Sequence, residues 1–199
     1  PLVTRGIGRG AEADNKPNVS IFLDPIDFVR YAPLLQSGAA VAIPRTRSLS
    51  PMQLDPKVKH FSRLSSVMAE MEAADVDPDV FPVLLDLEGN VTESVGGNFF
   101  VVSDGVLRTS SDNGVLQGVS RSTVQELAAQ LGIPATEEDL QPYDVYNADE
   151  AFLCSTPYCI LPVARVDNRT IGSGAPGPVT DQLLAAWGEM VGLDLVDQA

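Results

Sequence analysis

Apolar residues recur along this chain with two spacings, and the spacing predicts the elements. Short runs rich in β-branched and aromatic residues read as strands: residues 81–86 (FPVLLD), 99–103, 106–109, 150–154 (EAFLC) and 159–166 (CILPVARV). Shorter strands are expected at 1–6, at 18–23, where Asp24-Pro25 ends the run, and at 39–45. Asp104-Gly105 joins two of these runs, and Glu88-Gly89 separates 81–86 from 90–92. Both dipeptides supply the positive φ angles of tight hairpins. Glu93 then falls on or just beyond a strand, beside Gly96 and Gly97, which allow a close backbone approach.

Helical spacing appears in three stretches. Residues 62–74 carry Leu64, Val67, Met68 and Met71 on one face, and 120–132 carry Val124, Leu127, Ala128 and Leu131. Ser120 or Ser122 is expected to cap the second helix, and Gly132 with Pro134 to stop it. Residues 178–191 place Leu183, Leu184, Trp187 and Val191 together. Residues 140–146 read as acidic and irregular, 155–157 and 167–169 as turns, and 172–177 as a loop.

Composition narrows the function. Thirteen Lys+Arg against 27 Asp+Glu give a net charge of −14, which argues against a nucleic-acid or anionic-membrane surface. No apolar run approaches the ~20 residues of a membrane span, and no secretory signal opens the chain, so a cytoplasmic protein is expected. Cys154 and Cys159 lie in one strand-like run on opposite faces, which suggests neither a disulfide nor a metal pair. With His60 as the sole histidine, serine–histidine and histidine–metal chemistries are nearly excluded. The small-residue run Gly118-Val119-Ser120 leads into a helix start, where free N–H donors and the dipole favour an anion. By local sequence alone Lys59 is a solvated charge, and Ser155 and Thr156 are turn residues or phosphate donors.

Four blocks carry more than this: DPKVKHFSRL, TESVGGNFF, VLQGVSR and ADEAFLCSTPYCILPVARVDNRTIGSGAPGPVT. In order and spacing, from Val41 to the end, they resemble the large domain of the class IV (fold type IV) pyridoxal-phosphate aminotransferases. That family includes branched-chain and D-amino-acid aminotransferases, aminodeoxychorismate lyase and R-selective amine transaminases. LDPKVK, TES..GN and VLQGVSR are most similar to the last of these. The resemblance implies an α+β fold in which a β-rich pseudo-barrel with flanking helices occupies 39–199. It also implies an interdomain connection at 26–38 and, at 1–25, a remnant of a small N-terminal α/β domain. Because the chain begins at Pro1 without methionine, inside a strand-like run, a longer parent chain is expected, and this segment alone is expected to be incomplete as an enzyme.

The resemblance further implies pyridoxal 5'-phosphate as cofactor, an amine or amino acid and a keto acid as substrates, and a homodimer. Lys59 would hold the cofactor's aldehyde and act as general base, and Glu93 would face its ring nitrogen. Gly118, Val119, Ser120 and Thr156 would hold the phosphate, and Ser155, Thr156 and Pro157 would face the substrate. Proline has no N–H, so the substrate carboxylate would be held weakly and amines lacking one tolerated. Three features depart from the family: Ser94 and Val95 follow the glutamate, Leu64 stands where a tyrosine is usual, and an arginine of the phosphate cup belongs to the N-terminal domain. A lyase of the aminodeoxychorismate type and a catalytically incomplete binding module are the alternatives.

Overall fold

A computed structural model describes residues 2–12, 14–26, 28–174 and 176–197; Pro1, Ala13, Asp27, Ala175, Gln198 and Ala199 lie outside the described residues, and with them parts of the segments predicted at 1–6, 26–38 and 172–177. Leu2–Thr4 (β1) and Asn18–Ser20 (β2) pair antiparallel as a ribbon of their own. β2 is shorter than predicted, and Ile21, Phe22 and Leu23 beyond it are exposed. A two-stranded ribbon has too few neighbours to bury both of its faces. The helix Ala32–Ser37 (α1) follows, with Leu35 buried.

The remaining strands close into a ring. Ala39–Ala42 (β3) lies parallel to Phe81–Leu85 (β4), which pairs with Val91–Ser94 (β5), which pairs with Gly97–Ser103 (β6). Val106–Ser110 (β7) and Ala135–Glu138 (β8) extend the sheet from β6. Closure comes from Glu150–Ser155 (β9), which pairs with β6 on one side and with Cys159–Val166 (β10) on the other, while β10 returns to β3. The short Arg169–Thr170 (β11) borders β10. Both predicted hairpins form, with Asp104 and Gly105 at φ 53 and 75 and Gly89 at φ 91.

The central strands are apolar without interruption because both faces are buried. On β6, Phe99 and Val101 join Leu153, Leu161 and Val163 inside the ring. Phe100 and Val102 point the other way and pack with Phe152 and Ile160 beneath two helices. The rings of Phe100 and Phe152 stack 5.0 Å apart. The alternation follows from the period of two along a strand.

The helices correct the sequence reading in several places. Leu64–Ala74 (α2) buries Ala69 and Ala73, whereas Leu64, Val67, Met68 and Met71 are exposed. Small alanines permit the closer approach to the sheet, so packing selects the face with less apolar volume. Val119–Leu131 (α3) begins at Gly118 with no side-chain cap; Ser120 and Ser122 fall inside its first turn, and Gly132 closes it in the left-handed conformation. Leu131 of α3 is partly exposed, as is Val191 of Pro178–Val191 (α5). Residues 140–146 contain a helix, Pro142–Tyr146 (α4), whose start is closed by reciprocal bonds between Gln141 and Asp144. Cys154 and Cys159 occupy neighbouring strands, not one, and both are free thiols; burial pushes the Cys154 thiol up to about 12.

The cap of α5 comes from a distant strand. Glu150 of β9 accepts hydrogen bonds from Val179 N (3.0 Å), Thr180 N (2.8 Å) and Thr180 Oγ1 (2.7 Å). Removing a charged acceptor from such a site costs on the order of 1.5–3 kcal/mol. Glu150→Ala should lower the midpoint of urea unfolding accordingly, and an unchanged midpoint would mean that water replaces the carboxylate at no cost. Among the described residues no helix is long and apolar enough to cross a membrane, and no group of His, Cys, Asp and Glu has the arrangement of a metal site.

Candidate active site

A tight hairpin positions the central carboxylate. Val95 and Gly96 form the turn between β5 and β6, which sets Glu93 opposite Asn98. Asn98 Nδ2 donates to Glu93 Oε2 at 3.0 Å, and Leu116 N donates to the same oxygen at 3.0 Å. Glu93 Oε1 receives no hydrogen bond from any described residue. Burial raises the Glu93 pKa from 4.5 to about 7; the Leu116 N–H and the charges of Lys59, Arg121 and Arg63 oppose that rise. Gly97 is required here, because a Cβ at this position would collide with the Cys154 carbonyl oxygen on β9.

The start of α3 forms a second wall. Gly118 is extended, and Gly118, Val119 and Ser120 line the cavity that Glu93 faces. With no side-chain cap, the first-turn N–H groups and the helix dipole remain available to an anion. Arg121 lies buried behind this turn. Its Nη2 donates to Ser110 O at 3.0 Å and pairs with Glu137 Oε1 at 3.1 Å, while its Nε has no partner.

Two further segments complete the cavity, whose volume is about 480 Å³. The turn-rich stretch before α2 contributes Lys59, His60 and Arg63. The turn after β9 contributes Ser155 and Thr156. Ser155 Oγ donates to Gly96 O at 2.6 Å and so ties that turn to the β5–β6 hairpin. Lys59, Glu93, Gly118, Val119, Ser120, Ser155 and Thr156 therefore share one cavity. Pro157 does not: it lines a separate apolar crevice of about 40 Å³ with Tyr31 and Tyr158. Leu64 is exposed and does not line the cavity.

Sequence reasoning gave no role to Asn98, Leu116 or Arg121. Asn98 stood in the motif TES..GN, and its partners could have been suspected from the hairpin register. Leu116 contributes main-chain groups only, so its side chain carries no signal.

A family model described as amino-transferase class IV matches residues 1–166. The chain belongs to that family. The match includes β1 and β2 and ends with β10, whereas the motif resemblance ran from Val41 to the end of the chain. Among class IV aminotransferases, the branched-chain-amino-acid aminotransferase of Pseudomonas aeruginosa is 38% identical over 128 residues, which cover 64% of this chain and 41% of that protein. The D-alanine aminotransferase of Bacillus licheniformis is 33% identical over 130 residues, 65% of this chain and 45% of its own length. The branched-chain amino acid aminotransferase of Thermobaculum terrenum, solved in its PLP form, superposes with a TM-score of 0.73 at 35% identity, covering 77% of this chain and 50% of that one. The chain thus spans about half the length of these relatives. The similarity in fold identifies the ring of strands as the pseudo-barrel expected from the class IV motifs.

Proposed function

We propose that this protein transfers an amino group between an amino acid and a keto acid with the help of pyridoxal 5'-phosphate. One observation carries the reading: a half-buried carboxylate with a free oxygen, Glu93, shares a cavity with Lys59 and the uncapped start of α3. The residues fit the cofactor. A volume of about 480 Å³ lies within the usual range for small-molecule sites. Lys59 supplies a primary amine, Glu93 an anion for the ring nitrogen, and Val119 and Ser120 main-chain donors for the phosphate, joined by the Thr156 hydroxyl. When bound, pyridoxal phosphate supplies an aldehyde carbon and an electron-withdrawing ring. Lys59 would hold that carbon and, when free, would carry the proton at the substrate's α-carbon. Glu93 would favour a protonated ring nitrogen, and the α3 start would hold the phosphate.

The names of the relatives support amino acids, branched-chain or D-configured, as donors. The expected tolerance for amines rested on Pro157 facing the substrate, and Pro157 lies outside the cavity, whereas the cationic Arg63 lies within it. The same reading divides the chain into a remnant of a small domain at 1–25, a connection at 26–38 and the large domain at 39–199, within a cytoplasmic homodimer. The test is a panel of L-leucine, D-alanine and R-1-phenylethylamine with 2-oxoglutarate as acceptor. Glutamate formation, with kcat/KM highest for one of the amino acids, is expected. A hundredfold preference for the amine would overturn the substrate class, and pyruvate release from an aminodeoxychorismate-type substrate without any acceptor would favour the lyase.

A further inference from the structure

The carboxylate of Glu93 and the start of α3 belong to segments more than twenty residues apart in sequence, and a buried side chain braces the direct bond between them. Asn98 is 5% exposed and donates from Nδ2 both to Glu93 Oε2 and to Leu116 O, each at 3.0 Å. Leu116 N returns to Glu93 Oε2 at 3.0 Å, and Leu116 O also accepts from Gly118 N at 2.8 Å. Glu93, Asn98 and Leu116 thereby form a closed triangle, which Leu116 O joins to Gly118, the residue before α3. The amide orientation follows from its surroundings, since both neighbours are acceptors and a flipped amide would set Oδ1 against them. Gly118 passes so close to Asn98 that a Cβ there would collide with Oδ1. Bonds to an ionised carboxylate are stronger than neutral ones, so the triangle is tightest when Glu93 is charged.

We propose that Asn98 is a positioning residue that couples the charge of Glu93 to the placement of the α3 start, so that the sites for a ring nitrogen and a phosphate form as one unit. The inference rests on the function proposed above. Loss of charge on Glu93 weakens both bonds to Oε2, of which one holds Leu116 N directly and the other holds the amide that tethers Leu116 O. The other groups that act on the Glu93 charge are Lys59 and Arg63 from the stretch before α2, Arg121 on α3 and the Cys154 thiol on β9. None of these is hydrogen-bonded to Leu116 among the described residues.

The test uses NMR on the protein without cofactor. The side-chain carboxyl carbon of Glu93 gives its titration midpoint, and the main-chain amides of Val119 and Ser120 report the helix start. In the parent protein these two amides should shift with the Glu93 midpoint. In Asn98→Ala the midpoint should rise by about one unit or more, and the Val119 and Ser120 amides should follow it more weakly, through Leu116 N alone. Asn98→Ser, which keeps one donor but cannot bridge two acceptors, should weaken the coupling as well and serves if the alanine variant does not fold. Val166→Ala, a core truncation on β10 outside the cavity, should reduce stability and leave the coupling intact. Amides that track Glu93 unchanged in the folded Asn98 variant, or an unmoved midpoint, would overturn the inference. Titration of pyridoxal 5'-phosphate against pyridoxal then separates the two proposals: a coupled triangle in a protein that binds neither compound would refute the proposed function alone.

Discussion

Replacing Lys59 by arginine should reduce transamination by about four powers of ten or more, because arginine keeps the charge but has no amine that can be deprotonated. General acid–base work alone contributes roughly 10²–10⁴, and loss of the covalent anchor adds to it. Lys59 is preferred to its neighbour on geometry. Lys59 lines the cavity, whereas Lys57 does not. Borohydride reduction of the cofactor-loaded protein, followed by peptide mass mapping, should therefore place a pyridoxyl group on Lys59. A label on Lys57 would sink the assignment, as would Lys59→Arg turnover within tenfold of the parent.

Glu93→Gln should move activity and stability in opposite directions. A carboxylate about 4 Å from a cation is worth roughly 4 kcal/mol at an effective dielectric of 20, so turnover should fall by two to three powers of ten while the shape of the side chain is kept. Stability in the protein without cofactor follows from the direction of the pKa shift. The unfolded chain loses this proton near 4.5 and the folded one near 7, chiefly because burial disfavours the charge. Between those values the folded state binds more protons, so its stability declines as pH rises through the window and stays low above it. The full shift corresponds to about 3 kcal/mol. Glutamine carries no such cost, and Asn98 and Leu116 can still donate to its carbonyl oxygen. At pH 8 the cofactor-free Glu93→Gln variant should thus unfold at a higher urea concentration than the parent, and the gap should narrow toward pH 5. A gap independent of pH would show that Glu93 is solvated rather than buried.

Much of the fold could be read locally. The hairpin at Asp104-Gly105 needs only two residues able to adopt positive φ between two β-rich runs, and the alternation of Phe99, Phe100, Val101 and Val102 between two cores follows from the strand period. The composition of the cavity was also legible, but through the motifs of a family: nothing in the chemistry near Lys59 separates it from a surface lysine.

What the sequence determined, then, were the longer strands, the hairpin turns and the approximate extents of the three long helices, because these depend on neighbours within a few residues; the short α1, α4 and β8 were not legible. Tertiary structure decided which faces and partners were used. α2 turned its alanines inward and left Leu64, Val67, Met68 and Met71 outside, since approach distance to the sheet outweighed apolar volume. α5 took its cap from Glu150, and α3 went without one, because hydrogen bonds at helix ends are satisfied by whatever the fold brings near. Pro157 faced a different crevice from Ser155 and Thr156, as the chain direction changes within a turn. The triangle of Glu93, Asn98 and Leu116 lay furthest from prediction: two of its three bonds use the main chain of Leu116, and main-chain groups are identical at almost every position, so only the closed ring of strands could bring that one beside the carboxylate.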